Sequence, residues 1–310
     1  MAETRDTKPL FYKTEHGYQK PIVNVERLKE MVHKDLKKFA DEYLDGDLEG
    51  GEQYLVAVTL LERYFGFKWI EKHILDEPPN GFFGRGVADE INDGIVMRKV
   101  INLAEFLINL APQKNIDTIL HMIASGEIES NYAELEVAKF LMTRNVSFHF
   151  VTPTVKGESF DLLIDAPFAS QVCADTKCKL EAGEFSAKGI LHSLKQATKR
   201  NLPKDRPGTI FLKIPQEWQS SSSIWAETQD VCREFLKQHL RLVSITIFAS
   251  HMLPVGDFLR FWFTGVEITS HIHRFNTNLN WKFFDGGSPQ NSTPASWITL
   301  EDILKYQPTD

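Results

Sequence analysis

The segment SFDLLIDAPFASQVCADTKCKL, Ser159–Leu180, contains two short apolar runs that are each associated with charged residues. Asp161 comes just before the first apolar run, and Asp175 and Lys177 lie within the second. Short apolar runs bounded by turn residues are typical of buried β-strands. Because an ionised group is costly to bury without a partner, charges at these positions require an explanation.

Alternation along the second predicted strand decides which of its side chains can act together. Successive side chains of a strand point to opposite faces. Asp175 and Lys177 therefore share a face, whereas Cys173 and Cys178 point to opposite faces. The two cysteines cannot bind one metal ion without distorting the strand, and a zinc site would need two further ligands that the nearby sequence lacks. A simple salt bridge at a sheet edge remains one interpretation of the Asp–Lys pair.

Two further carboxylates are predicted to lie near Asp175. Asp161 opens the preceding strand, and pairing of the two strands would bring both acids together. Glu134 lies on the apolar stripe of a predicted helix over 131–145, in which apolar residues follow it at helical spacing. Glu136 falls on the more polar side of that helix and is interpreted as a solvated acid. Three carboxylates beside a lysine make an oxygen-rich site suited to Mg²⁺ or Mn²⁺.

The surrounding sequence predicts the fold that holds this segment. From about residue 22 to 125, apolar residues recur at helical spacing, as in NVERLKEMVHKDLKKFADEYL, and no alternating run indicates a strand. After Gly126, helices and strand-like segments follow one another, ending with a short strand in NWKFFDG. This order predicts an α/β fold, a mixed β-sheet flanked by helices, with an N-terminal all-helical lobe. We predict two domains, a helical one over 1–125 and an α/β one over 126–310.

The order of the acids resembles the PD-(D/E)XK nuclease superfamily, which has the restriction-endonuclease-like fold and includes Holliday-junction resolvases and RecB-type nucleases. The resemblance covers about residues 130–215. Phe160 stands where the family often has proline, and the DTK element has Asp where Glu is more frequent. The elements that carry the resemblance are Glu134 on a helix, Asp161 after a glycine-containing turn, and Asp175, Thr176 and Lys177 on the next strand.

The resemblance also implies a role for each of these residues. Asp161, Asp175 and the main-chain carbonyl of Thr176 would bind a metal ion. Glu134 would bind a second metal ion or its waters. Lys177 would orient or activate the attacking water and stabilise the pentavalent phosphate. The implied cofactor is Mg²⁺ or Mn²⁺.

Positive charge is concentrated between Ser186 and Pro215, in a chain with a formal net charge of −7. Such a patch beside an acid cluster can hold a phosphodiester backbone, although a solvated face is the other interpretation. Some branches of the superfamily carry a helical Gln and a Tyr four residues later, but here Gln196 is followed by Arg200. The predicted nucleic-acid-binding residues are Lys179, Lys188, Lys195, Gln196, Lys199 and Arg200, and the patch also contains Lys204, Arg206 and Lys213.

These residues predict a divalent-metal-dependent nuclease that hydrolyses phosphodiester bonds, in DNA rather than RNA, and that serves defence or repair. One alternative is a catalytically inactive protein of the same fold that binds nucleic acid or a partner protein. Another is a structural α/β protein in which Asp175 and Lys177 merely pair. The N-terminal helical domain is expected to provide a surface for a protein partner or for homo-oligomerisation.

Bulk properties of the chain exclude other classes of protein. The net negative charge argues against a protein that coats nucleic acid or an anionic membrane with its whole surface. No apolar run is long enough to span a membrane, and the first residues do not resemble a secretion signal. Three cysteines are too few for a disulfide framework and fit a reducing compartment. We therefore expect a cytoplasmic protein without membrane contact.

Overall fold

The computed structural model describes the backbone of residues 13–14, 17–18, 51–75, 82–83, 91–152, 159–165, 171–179, 184–255, 258–275 and 297–305. The chain divides into two compact units, Met1–Pro112 with Ser296–Asp310, and Gln113–Ala295. The predicted helix in NVERLKEMVHKDLKKFADEYL and the predicted strand in NWKFFDG lie outside the described residues. The predicted domain boundary between residues 125 and 126 stays a prediction. Of the two compact units, the second contains residues 113–125 and the first contains residues 296–310.

The described part of the first unit is mostly helical. Its helices are α1 Glu52–Phe65, α2 Phe67–Ile70, a π-helix Glu71–Leu75, α3 Ile91–Leu110 and a short C-terminal helix Leu300–Leu304. Gly66 separates α1 from α2 because its φ of 87° is a conformation that glycine adopts without steric cost. Two short strands, β1 Lys13–Thr14 and β2 Gly17–Tyr18, pair antiparallel, so the predicted all-helical character of the N-terminal residues was wrong at this point.

Two polar side chains of α3 hold the C-terminal segment within the first unit. Glu105 accepts hydrogen bonds from Trp297 Nε1 at 3.3 Å and from the Leu300 amide at 3.2 Å. Asn109 donates to the Ile298 carbonyl at 2.8 Å and accepts from the Ile298 amide at 2.7 Å. Glu105 is buried, so these donors satisfy a carboxylate that would otherwise be costly to remove from water.

A six-stranded mixed sheet forms the centre of the second unit. Its strands are β3 Phe148–Phe150, β4 Leu162–Ile164, β5 Val172–Cys178, β6 Gly208–Lys213, β7 Leu242–Val255 and β8 Phe258–Thr269. They lie side by side in chain order. Strands β3, β4 and β5 pair antiparallel, β5, β6 and β7 run parallel, and β8 returns antiparallel to β7.

Helices cover both faces of this sheet. They are α4 Ile116–Ala124, α5 Ile128–Thr143, α6 Ala187–Gln196, a second π-helix Ala197–Asn201, α7 Gln216–Ser220 and α8 Ser222–Lys237. On one face, Leu194 of α6 and Phe235 of α8 share an apolar core with Ile210 of β6. On the other face, Phe140 of α5 packs edge-on against Phe248 of β7, with ring centroids 5.0 Å apart. The prediction of an α/β fold with a mixed sheet flanked by helices is confirmed.

Helix α5 is buried on almost every side, which makes the interpretation of Glu136 as a solvated acid wrong. Glu136 is fully buried; its Oε2 atom lies 2.8 Å from Lys213 Nζ, and its Oε1 atom accepts a hydrogen bond from Ser250 Oγ at 2.6 Å. Lys213 also lies over the Tyr132 ring, 5.4 Å from its centroid. Lys213 therefore belongs to the core of the second unit and not to a surface basic patch.

None of the helices within the described ranges has both the length and the apolar character that a membrane span requires.

Candidate functional site

Strands β4 and β5 bring two acids close together. Leu162 pairs with Ala174 in the antiparallel ladder, and the amide of Asp161, one residue before β4, also donates to the Ala174 carbonyl at 2.9 Å. The negative charges of Asp161 and Asp175 repel each other, and like charges placed close together on paired strands destabilise a sheet. Stability alone therefore does not account for this arrangement.

The Asp161 carboxylate is held against β5 by one strong hydrogen bond. The Thr176 amide donates to Asp161 Oδ2 at 2.5 Å. Burial raises the pKa of Asp161 to about 8, and the negative charge of Asp175 acts in the same direction. Lys177 and the Thr176 amide oppose this increase without overcoming it. Below about pH 8, additional positive charge is needed to ionise this group fully.

Asp175 is fully buried, and each of its carboxylate oxygens has a polar neighbour. Lys177 Nζ lies 2.5 Å from Oδ2, and Asn201 Nδ2 donates a hydrogen bond to Oδ1 at 2.6 Å. Burial raises the pKa of Asp175, whereas Lys177 and Asn201 lower it and only partly offset the burial. The side chains of Asp175 and Lys177 point to the same face of β5, which agrees with the alternation predicted for this strand.

Glu134 of α5 is the third acid that the structure brings to this place. Burial raises the pKa of Glu134 well above its usual value, the charges of Asp161 and Asp175 raise it further, and the charge of Lys177 lowers it. Within the described ranges, the Glu134 carboxylate makes no hydrogen bond or ion pair. Three acids thus interact with one lysine, and binding of a further cation would favour their ionised forms.

The oxygen atoms at this place fit a hard divalent cation in chemical type. Carboxylates and main-chain carbonyls are the ligands that Mg²⁺ and similar ions prefer. In the described part of the chain, no three His, Cys, Asp or Glu side chains are arranged so that they could hold a metal ion. Lys177 Nζ lies 2.5 Å from Asp175 Oδ2 and donates to the Thr176 carbonyl at 3.2 Å, so it contacts two of the predicted ligand atoms. Metal binding would require Lys177 to turn away from them.

Two residues that were not predicted from the sequence, Asn201 and Ser159, also belong to the site. Asn201 is the last residue of the π-helix that follows α6, and its side chain reaches Asp175. Ser159 Oγ donates to Asn201 Oδ1 at 3.2 Å. A π-helical turn contains more residues than an α-helical turn, so helical spacing in the sequence does not predict the direction of Asn201. The feature of the sequence that could have pointed to Asn201 was its position as a polar residue at the end of an amphipathic helix.

Two of the residues predicted to bind nucleic acid have partners within the second unit. Lys179 donates to the Gly189 carbonyl at 2.7 Å and to Ser193 Oγ at 2.6 Å, and burial lowers its pKa. These contacts tie the end of β5 to α6. Gln196 Nε2 lies 2.9 Å from Nε2 of His192 on the same helix.

The other four predicted residues form an exposed basic stripe, which we define as Lys188, Lys195, Lys199 and Arg200. Lys188 and Lys195 are seven residues apart, a spacing that places them along one side of α6, and Lys199 and Arg200 follow in its π-helical continuation. Among the described residues, none of the four forms an ion pair with a carboxylate. The stripe ends next to Asn201, whose side chain contacts Asp175.

Helix α8 shows the contrasting arrangement on the same unit. Arg233 lies 2.8 Å from Asp230, and Lys237 lies 2.5 Å from Glu234, each one helical turn away. Pairs of this kind are typical of a solvated helix face. The unpaired charge of the basic stripe distinguishes it from such a face.

No protein-family model matches the chain, and no curated protein matches its sequence.

Proposed function

We propose that this protein is a divalent-metal-dependent nuclease with a restriction-endonuclease-like second unit, and that it hydrolyses phosphodiester bonds of nucleic acid, DNA in preference to RNA. The observation that carries this proposal is the gathering of the buried Asp175 and the half-buried Glu134 and Asp161 around one ammonium group, that of Lys177. Buried charges without full compensation cost free energy. A divalent cation held by Asp161, Asp175 and the Thr176 carbonyl, with Glu134 beside it, would compensate them.

The charge of Lys177 defines its part in the proposed reaction. Burial lowers the pKa of Lys177, but the carboxylates of Asp175 and Asp161 more than offset this and raise it above its usual value. Lys177 therefore stays protonated near neutral pH and acts as a charge stabiliser for the pentavalent phosphate and as a donor that orients the attacking water. When bound, the metal ion supplies a coordinated water of lowered pKa.

The order of elements in the second unit supports the same proposal. Helix α5, strands β3 to β5, helix α6 and strand β6 follow one another in the region that resembles the nuclease superfamily. Glu134 lies on the first helix, Asp161 stands at the start of β4, and Asp175 lies within β5. This order of acids along the chain supports the proposal.

The ion pair between Lys177 and Asp175 favours one alternative. A protein of the same fold without catalytic activity could keep this pair as a structural contact and use the basic stripe to bind nucleic acid, or another surface to bind a partner protein. Measurements of metal binding and of cleavage distinguish this inactive protein from the nuclease.

The proposed function is tested with labelled single- and double-stranded DNA and RNA in Mg²⁺, Mn²⁺ or chelator. We expect the wild-type chain to cleave DNA in either metal ion and to lose activity in chelator. Asp175→Ala should lose cleavage by about a hundredfold or more, because metal charge stabilisation is worth several kcal/mol. Asp165→Ala, an exposed acid that follows β4, is the matched control and should cleave normally. Equal cleavage by Asp175→Ala, or inactivity of the wild-type chain on every substrate, would contradict the proposal.

The basic stripe should make binding of nucleic acid dependent on salt. We expect a variant with Lys188, Lys195 and Lys199 all changed to Gln to reduce the slope of log K against log salt concentration by about 2–3, since each phosphate contact contributes roughly 0.7–0.9. Fluorescence anisotropy of a labelled oligonucleotide, in chelator to prevent cleavage, measures the slope. Changing Arg233 and Lys237 to Gln removes two exposed cations from α8 and is the control. Equal slopes for the two variants would exclude the stripe as the phosphate contact.

A further inference from the structure

We propose that Asn201 is a positioning residue that holds the Asp175 carboxylate in the orientation needed to bind the metal ion. This inference rests on the proposed function, because it concerns the same site. The two Asp175 oxygens have different surroundings. Oδ1 accepts the hydrogen bond from Asn201 at 2.6 Å, whereas the contact of the buried Oδ2 within the described residues is the ion pair with the Lys177 ammonium. A carboxylate is planar and rigid, so fixing Oδ1 fixes the direction of Oδ2.

Asn201 is itself held in one orientation. Its Oδ1 atom accepts from Ser159 Oγ at 3.2 Å, which leaves the amide NH₂ group directed at Asp175. The reverse orientation would place an amide oxygen against a carboxylate oxygen, and neither atom can donate. Ser159 lies two residues before Asp161. The Ser159–Asn201–Asp175 chain therefore connects the segments that carry the two predicted metal-binding aspartates.

The π-helix sets the position from which Asn201 acts. Its closing hydrogen bond runs from the Leu202 amide to the Ala197 carbonyl, over 2.9 Å. Ala197 and Leu202 are both buried in the apolar core between α6 and the sheet, which fixes the two ends of the turn. The backbone that carries Asn201 is thus anchored on both sides. Single π-helical turns of this kind occur frequently at functional sites.

There is also a physical reason why the donor to Asp175 Oδ1 is the neutral amide of Asn201 and not a charged group. A second ammonium at this place would bind Asp175 more strongly but would repel an incoming divalent cation. The Asn201 amide satisfies Oδ1 without adding charge, so it orients the carboxylate and leaves its negative charge for the metal ion. Removal of a group that orients a metal ligand in this way typically weakens metal binding by about 10–100-fold.

Titration calorimetry with Mn²⁺ tests this inference on the full chain, with cleavage measured over a range of Mn²⁺ concentrations. Asn201→Leu keeps the approximate shape of the side chain but removes the donor, and Asn201→Ala removes both. We expect either variant to weaken Mn²⁺ binding by about 10–100-fold and to regain the cleavage rate within a few-fold at saturating Mn²⁺. Its unfolding temperature should fall by roughly 2–12 °C, because Asp175 Oδ1 loses its donor. Ser159→Ala should weaken Mn²⁺ binding less. Gln229→Leu, which removes an amide on α8 that accepts a hydrogen bond from Arg233, is the control and should bind Mn²⁺ normally.

The possible outcomes separate this inference from the proposed function. If the wild-type chain binds Mn²⁺ and both Asn201 variants bind it equally well, the positioning role is overturned and the nuclease proposal stands. A loss of cleavage in Asn201→Leu that saturating Mn²⁺ does not restore would also overturn the positioning role. If the wild-type chain itself binds no Mn²⁺, the proposed function fails and the inference fails with it.

Discussion

Replacement of Lys177 with methionine is expected to lower kcat of metal-dependent cleavage by about 10³-fold, the scale found for cationic groups that stabilise a phosphoryl transition state. The same variant should bind Mn²⁺ at least as tightly as the wild-type chain. The physical reason for the second expectation is that the Lys177 ammonium contacts Asp175 Oδ2 and the Thr176 carbonyl, two of the proposed metal ligands. Removing the ammonium removes both a competitor for these oxygens and a positive charge beside the metal ion.

Single-turnover cleavage and Mn²⁺ calorimetry measure the two effects separately. Lys177→Met should separate binding from chemistry, whereas Asp175→Ala should lose both because it removes a ligand. Lys237→Met, which changes an exposed lysine of α8, is the control for loss of one positive charge. An unchanged kcat in Lys177→Met would exclude charge stabilisation by this residue. Weaker Mn²⁺ binding in this variant would show that the ammonium arranges the ligands instead of competing with the metal.

Replacement of Lys213 with alanine is expected to destabilise the second unit by about 3–5 kcal/mol, because it leaves the Glu136 carboxylate buried without its ion-pair partner. For a unit of this size, about 1 kcal/mol corresponds to roughly 2–4 °C, so Tm should fall by roughly 6–20 °C. Urea and thermal unfolding measure the loss. The effect is larger than that of an exposed pair because neither side chain reaches water: Glu136 is 0% exposed and Lys213 is 6% exposed.

A double variant tests whether the charge of Glu136 causes this loss. Glu136→Gln combined with Lys213→Met removes both charges, keeps an acceptor for Ser250 Oγ, and fills most of the volume of the lysine. We expect it to recover most of the stability, since replacing a whole buried ion pair is often close to neutral. Lys237→Ala, which breaks an exposed pair on α8, should change stability little. If Lys213→Ala unfolds like the wild-type chain, the pair makes no contribution to stability.

Local patterns in the sequence were enough to predict part of the site. Alternation placed Asp175 and Lys177 on one face of a strand, and their ion pair agrees with it. The apolar run after Asp161 predicted a strand, and the pairing of β4 with β5 brought Asp161 near Asp175. These inferences succeeded because they depend on a period of two residues and on neighbouring strands, both of which are local properties of the chain.

Other features depend on contacts that no local pattern contains. Glu136 and Lys213 have the spacing of surface charges within their own elements, and only the packing of α5 on β6 shows that they neutralise each other. Asn201 could not be placed because a π-helical turn changes the direction of every side chain after it. Asn109 bonds to Ile298 across 189 residues of sequence, a contact that neither helical spacing nor composition predicts.

The contacts between α3 and the C-terminal segment have a consequence for biosynthesis. The second unit is continuous in the chain, whereas the first combines its N-terminal helices with residues 296–310. A growing chain emerges from the ribosome N-terminus first, and units generally fold as they become complete. The second unit can therefore fold before the first is finished. Until residues 297–300 have been synthesised, Glu105 lacks the two donors that satisfy it in the folded protein, so the helical unit that begins first along the chain is completed last.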